Sequence, residues 1–298
     1  MTLPRRPLIK NLLLLIALSL LLAACSRVGL AYRNLDWLIP WRLNDYLSLN
    51  REQQAWLKPR LQAHLEWHCS SELPRYIDWL QRTHHLLESP RPDATELAAQ
   101  FAELDGALRR IIGEITPTAI ELLHSLSPGQ VAELYAAMDE DNRADRQDFL
   151  EPPLATQISQ RTTRMQKRLR PWLGRLNDAQ RARIAEWAHT VGEQNRLWLD
   201  NRLRWQTEFR AAVDARRSAD FPARLMHLLQ ERESVSPADY RAAYTRSRQA
   251  LAELFSDLLE SADDKQRGRL SARLRDLRDD LAQLACVAPS RVAAGASR

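Results

Sequence analysis

The chain has 298 residues, 45% of them hydrophobic and 27% charged, with only eight glycines and a formal charge of +5. Three of the cations, Arg5, Arg6 and Lys10, fall in the first 24 residues, which hold no acid, so the remaining 274 residues carry a formal +2. That near-balance excludes a strongly basic nucleic-acid binder, and the shortage of glycine and β-branched residues favours one large helical domain or two small ones.

The N-terminus reads as an export signal. The three cations lead into Leu12–Leu22, which is apolar except for Ser19. That run is shorter than the roughly 20 residues needed to cross a bilayer core and has the length of a signal-peptide core. Leu22-Ala23-Ala24-Cys25 follows and resembles the lipobox of bacterial lipoproteins. The resemblance implies cleavage after Ala24, with diacylglycerol and an N-acyl chain on Cys25 holding the protein to a membrane. Ser26, in place of Asp, implies the inner leaflet of the outer membrane, facing the periplasm.

Residues 25–35 then read as a lipidated tether. Residues 36–50 are aromatic and contain Pro40, which predicts an irregular or one-turn helical lead-in. Beyond that, apolar residues recur at spacings of three and four, so residues 36–286 read as a single helical domain. Leu154, Ile158, Met165 and Leu169 form one stripe. Ile184, Val191, Trp198, Trp205 and Ala212 recur every seven residues and predict one long helix over about 178–217. Tyr240 to Leu258 and Leu270 to Leu284 carry two more stripes. No segment alternates with period two. Residues 287–298, small and polar, read as a disordered tail.

Helix starts share one signature. Asn50, Ser127, Asn177 and Asp263 each stand three positions before a glutamine, at 53, 130, 180 and 266. The cap side chain accepts from a first-turn amide while the glutamine reaches back to the cap N–H. Asp93 with Glu96, and Ser236 with Asp239, are acidic versions. The intervals between the glutamine starts are unequal, so no strict solenoid repeat is read.

Candidate sites have competing readings. Cys69 and Cys286 either form a disulfide between the first long helix and the last or stay separate buried thiols. His64, His68 and Glu72 are spaced four apart, as zinc ligands can be, but no His-Glu-x-x-His pattern is present, and hydrogen-bonded boundary histidines are the commoner case; no metal and no cofactor are expected. His84 and His85 read as surface residues. Five tryptophans between 37 and 79 either lean on a bilayer or fill the core behind the tether. Arg161, Arg164, Lys167, Arg168, Arg170 and Arg175 form a candidate anion-binding patch, the alternative being a solvated helix face. Phosphate loops, nucleophile elbows and Cys-x-x-Cys are absent from the sequence, and no catalytic residue is singled out.

The segments Leu35-Asp-Trp-Leu-Ile-Pro-Trp41 and Trp67-His-Cys-Ser-Ser-Glu-Leu-Pro74 resemble an uncharacterised domain-of-unknown-function family of Gram-negative lipoproteins. That resemblance implies an all-helical periplasmic lipoprotein and supplies no catalytic residues. The Leu-Ser-Pro-Gly-Gln and Leu-Asn-Asp-Ala-Gln starts at Leu126 and Leu176 resemble the Leu-Thr-x-x-Gln motif of Spy-type periplasmic chaperones, with Ser or Asn in place of Thr. The expectation is therefore an elongated all-α bundle of about eight or nine helices behind a lipoprotein signal peptide. Its expected role is non-enzymatic: an envelope interaction or scaffold protein whose partners are the membrane, envelope proteins or anionic envelope polymers, not nucleic acid. An ATP-independent holdase and an enzyme with an unrecognised helical site are the alternatives.

Overall fold

The structure, a computed structural model, describes residues 27–284. The signal segment, Cys25, Cys286 and the tail at 287–298 lie outside the described residues. Among the described residues there is no strand, and the chain forms an all-α bundle. Its helices are α1 (Arg27–Arg33), α2 (Leu35–Leu43), α3 (Arg51–Trp67), α4 (Leu73–Leu86), α5 (Ala94–His124) and α6 (Pro128–Phe149). They continue with α7 (Leu154–Leu173), α8 (Asp178–Val191), α9 (Gln194–Asp214), α10 (Phe221–Gln230), α11 (Ala238–Glu260) and α12 (Asp264–Ala282). No helix of the described residues is long and apolar enough to cross a membrane.

There are more helices than the eight or nine expected, for local reasons. The single helix expected over 178–217 is two, because Gly192 takes a positive φ of 53° and ends α8. Glycine adopts that conformation without the Cβ clash other residues meet. The free carbonyl of Ala188 in the last turn of α8 is then capped by the guanidinium of Arg161 at 2.8 Å. The stretch read as a tether is helical over Arg27–Arg33, and the lead-in forms a nine-residue helix with Pro40 inside it.

Between α3 and α4 the chain does not break. His68–Glu72 forms a π-helical turn, in which the Leu73 N–H bonds to the His68 carbonyl five residues back. Pro74 follows, with no N–H to donate and a ring that would meet the Ser70 carbonyl in a regular α-helix. Widening the turn relieves both problems.

All four glutamine capping boxes form. They also pair. Gln53 and Gln130 exchange side-chain hydrogen bonds at 3.2 and 2.7 Å, joining the starts of α3 and α6. Gln180 and Gln266 do the same at 2.9 and 3.1 Å, joining the starts of α8 and α12. Each amide then makes four bonds. Gln180, fully buried, accepts from the Asn177 N–H and from Gln266, and donates to the Leu258 carbonyl and to Gln266. Capping and pairing thus give the Leu-x-x-x-Gln starts a structural role. Of the acidic versions, Asp93 caps α5, whereas α11 starts one residue later than read, with Pro237 at its cap and Ser236 bonded back to Arg232.

Apolar clusters fill the interior. One joins α7, α8 and α11 around Leu173, Ile184, Leu254 and Leu258; another joins α6, α9 and α10 around Val131, Phe209, Val213, Phe221 and Leu225. A third and smaller one, Cys69, Leu73 and Leu284 with Tyr32 and Tyr76 against it, ties α1 and the end of α12 to the π turn.

Candidate functional site

The end of the molecule carrying α1 and α2 combines an unusual surface with an unusual interior. Leu35, Trp37, Leu38, Ile39, Pro40, Trp41 and Leu43 spread apolar side chains around α2, with Asp36 and Arg42 its charged residues, yet none of its residues is buried. Trp37 is 62% exposed and Trp41 56%, and their rings stack at 6.1 Å. A helix apolar all round belongs in a core or at a lipid boundary. Tryptophan in particular favours the bilayer interface, with its ring half buried and its N–H wet. α2 starts ten positions after Cys25. Of the two readings of the tryptophan cluster, core filling fails for Trp37 and Trp41, while Trp56, Trp67 and Trp79 are half-buried.

Beneath α1, His68 lies between two tyrosines. The Tyr32 hydroxyl is 3.0 Å from its Nδ1 and the Tyr76 hydroxyl 3.3 Å from its Nε2. A neutral imidazole satisfies both, accepting from one hydroxyl and donating to the other. Burial lowers the His68 pKa, against a smaller raising effect of Glu72. Burial, then the charge of Tyr76, pushes Tyr32 up to about 12.

Glu72, at the end of the π turn, is 1% exposed and takes a two-pronged bond from Arg110 of α5, with both contacts at 2.8 Å. That bond holds its carboxyl below the ordinary value. This pair was not read from the sequence. Arg110 sits on a different helix, and the spacing of Glu72 suggested only a partner for the histidines.

The other singled-out residues fall as follows. His64 turns toward α5, bonded to Glu114 at 3.0 Å and Thr118 at 2.8 Å, so it and His68 face different partners. Among the described residues no three His, Cys, Asp or Glu side chains are grouped to hold a metal ion. His84 is bonded to Ser271 on α12 and half-buried, unlike the surface residue expected, whereas His85 is exposed. Cys69 is disulfide-bonded.

The candidate anion patch divides. Arg161 is buried, bonded to the Ala188 carbonyl and to Asn195, and is part of the scaffold. Arg164 lies over the Phe149 ring at 5.1 Å. Lys167 and Arg168 are exposed on α7. Arg170 and Arg175 converge on a cavity together with Arg181 and Arg269. Arg269 comes from α12, and no feature near residue 170 of the sequence announces it.

No curated protein matches the chain, and no solved structure matches it. A family model, described as a family of unknown function (DUF6279), matches residues 45–241. That range includes the Trp67–Pro74 segment, the π turn and the amide pair at the starts of α3 and α6, while α2 precedes it. The chain belongs to this family of unknown function.

Proposed function

We propose that the chain is a lipid-anchored periplasmic lipoprotein acting without catalysis, as an envelope interaction or scaffold protein. In this reading Cys25 carries the acyl chains at the inner leaflet of the outer membrane, and α2 lies on the same leaflet. The observation that carries it is the bare apolar helix with stacked Trp37 and Trp41, ten positions after the lipobox cysteine. Seven residues of α1 span about 10 Å at 1.5 Å per residue, so an acylated Cys25 and α2 reach one surface. Arg33, next to α2, suits anionic headgroups, while Arg42 is paired with Asp45 at 2.6 Å.

The test measures Trp emission of the protein bound to vesicles containing brominated lipid. Quenching is expected, and it should largely disappear in Trp37→Phe/Trp41→Phe. Cys25→Ala should leave the membrane fraction of cells. An unquenched wild-type protein, or a Cys25→Ala protein still held in the membrane fraction, contradicts the proposal.

A further inference from the structure

A second feature lies at the other end of α12. The C-terminal end of α7, the loop into α8, the first turn of α8 and the second turn of α12 border an open surface cavity of about 400 Å³. Four arginines line it: Arg170, Arg175, Arg181 and Arg269, with the Gln166 amide beside them. Arg181 is paired with Asp178 and also donates to the Leu176 carbonyl. Among the described residues, no carboxylate lies within ion-pair distance of Arg170, Arg175 or Arg269.

Some arginines elsewhere have carboxylate partners, as Arg110 has Glu72, Arg183 has Asp257, Arg210 has Asp139 and Arg248 has Asp105, and others, such as Arg168 and Arg273, have none among the described residues; what sets this group apart is its convergence on one pocket. Arginines at a helix C-terminus can serve simply to offset the macrodipole. That end carries only about −0.5 elementary charge, however, and three unpaired guanidinium groups exceed it several-fold.

The backbone makes room for one of them. Gly174 has φ +75°, and a Cβ there would lie 2.8 Å from Arg269 Nη1. A side chain at 174 would therefore strain the turn and require the Arg269 guanidinium to shift.

We propose that this cavity binds a phosphate-bearing ligand through the guanidinium groups of Arg170, Arg175, Arg181 and Arg269. Guanidinium forks arriving from three elements match a tetrahedral anion with several oxygens on one centre. A carboxylate, with two oxygens and one charge, would leave most of them unused. A phospholipid headgroup and a soluble phosphate ester present the same chemistry. The proposal uses no property of the N-terminus, so it stands or falls separately from the lipid anchor.

The full-length protein in nonionic detergent is titrated calorimetrically with inorganic phosphate, glucose 6-phosphate, dihexanoyl phosphatidic acid and glucuronate. Saturable binding of at least one phosphate compound is expected, weakened by added salt and about tenfold weaker in Arg269→Gln. Arg168→Gln, exposed outside the cavity, should bind as wild type. Stronger binding of phosphatidic acid than of glucose 6-phosphate assigns the site to a headgroup; the reverse assigns it to a soluble ester. If Arg269→Gln melts lower than wild type, Arg170→Gln, on an exposed position of α7, provides the same comparison. Absence of saturable binding by every phosphate compound, tighter binding of glucuronate, or unchanged affinity in both glutamine variants would overturn the proposal.

Discussion

His68 shows what one residue contributes when its partners come from distant parts of the chain. The sequence displayed its spacing to His64 and Glu72, but Tyr32 and Tyr76 reach it through the packing of α1 and α4. Glu72, which Arg110 and Arg75 both pair with, is the charge that acts on His68. The ordinary His pKa is 6.5 and burial holds His68 below it, so at intermediate pH the unfolded chain binds a proton that the folded one does not. The His68 contribution to stability is therefore whole above pH 6.5 and is lost as pH falls through the folded pKa. Glu72 acts in the same sense lower down. Its contribution is whole above its ordinary 4.5 and is lost as pH falls through the value that Arg110 depresses. Melting temperatures should decline once pH drops below 6.5. In His68→Gln, which can still hydrogen-bond, the decline just below pH 6.5 should be shallower; an identical slope would rule His68 out as the source.

At the scale of elements, the helix starts were legible because capping is local: cap and glutamine stand three residues apart, and all four boxes form. Their pairing was not legible. Separations of 77 and 86 residues carry no periodic signal, and only the folded bundle brings the amides together. The split of the expected 178–217 helix had a visible marker in Gly192, but the seven-residue apolar recurrence across it outweighed a single glycine in the sequence reading. The buried amide pair makes a sharp prediction. Gln180→Glu keeps the shape but removes both donors, leaving a carboxylate against the Leu258 carbonyl and Gln266 Oε1. Each buried group left without a partner costs about 1–3 kcal/mol, so the variant should lose roughly 3 kcal/mol in urea denaturation. Gln62→Glu, exposed on α3, should stay within about 0.5 kcal/mol of wild type. Equal stability of the two variants would mean that the junction contributes little.

For the whole molecule, the all-α class followed from composition and spacing, because helical periodicity is a property of the chain itself. The arginine cavity did not follow, because its members sit on three elements. The thiols link the fold to the proposed anchor. Cys69 is disulfide-bonded, and the sequence offers it two partners, Cys25 and Cys286. An acylated Cys25 has no thiol to give. Leu284, two positions before Cys286, packs in the same cluster as Cys69. Peptide mapping without reduction should therefore yield a Cys69–Cys286 linkage and a gain of two protons on reduction. A Cys25–Cys69 linkage would refute both this pairing and acylation at Cys25. The paired helix starts have one more consequence. The segment common to the family stops at residue 241, whereas Gln266, which completes the valences of Gln180, lies beyond it. A polypeptide trimmed to that segment keeps the Gln53–Gln130 junction and leaves the Gln180 junction half-built, so the boundary of family likeness is not a boundary of folding.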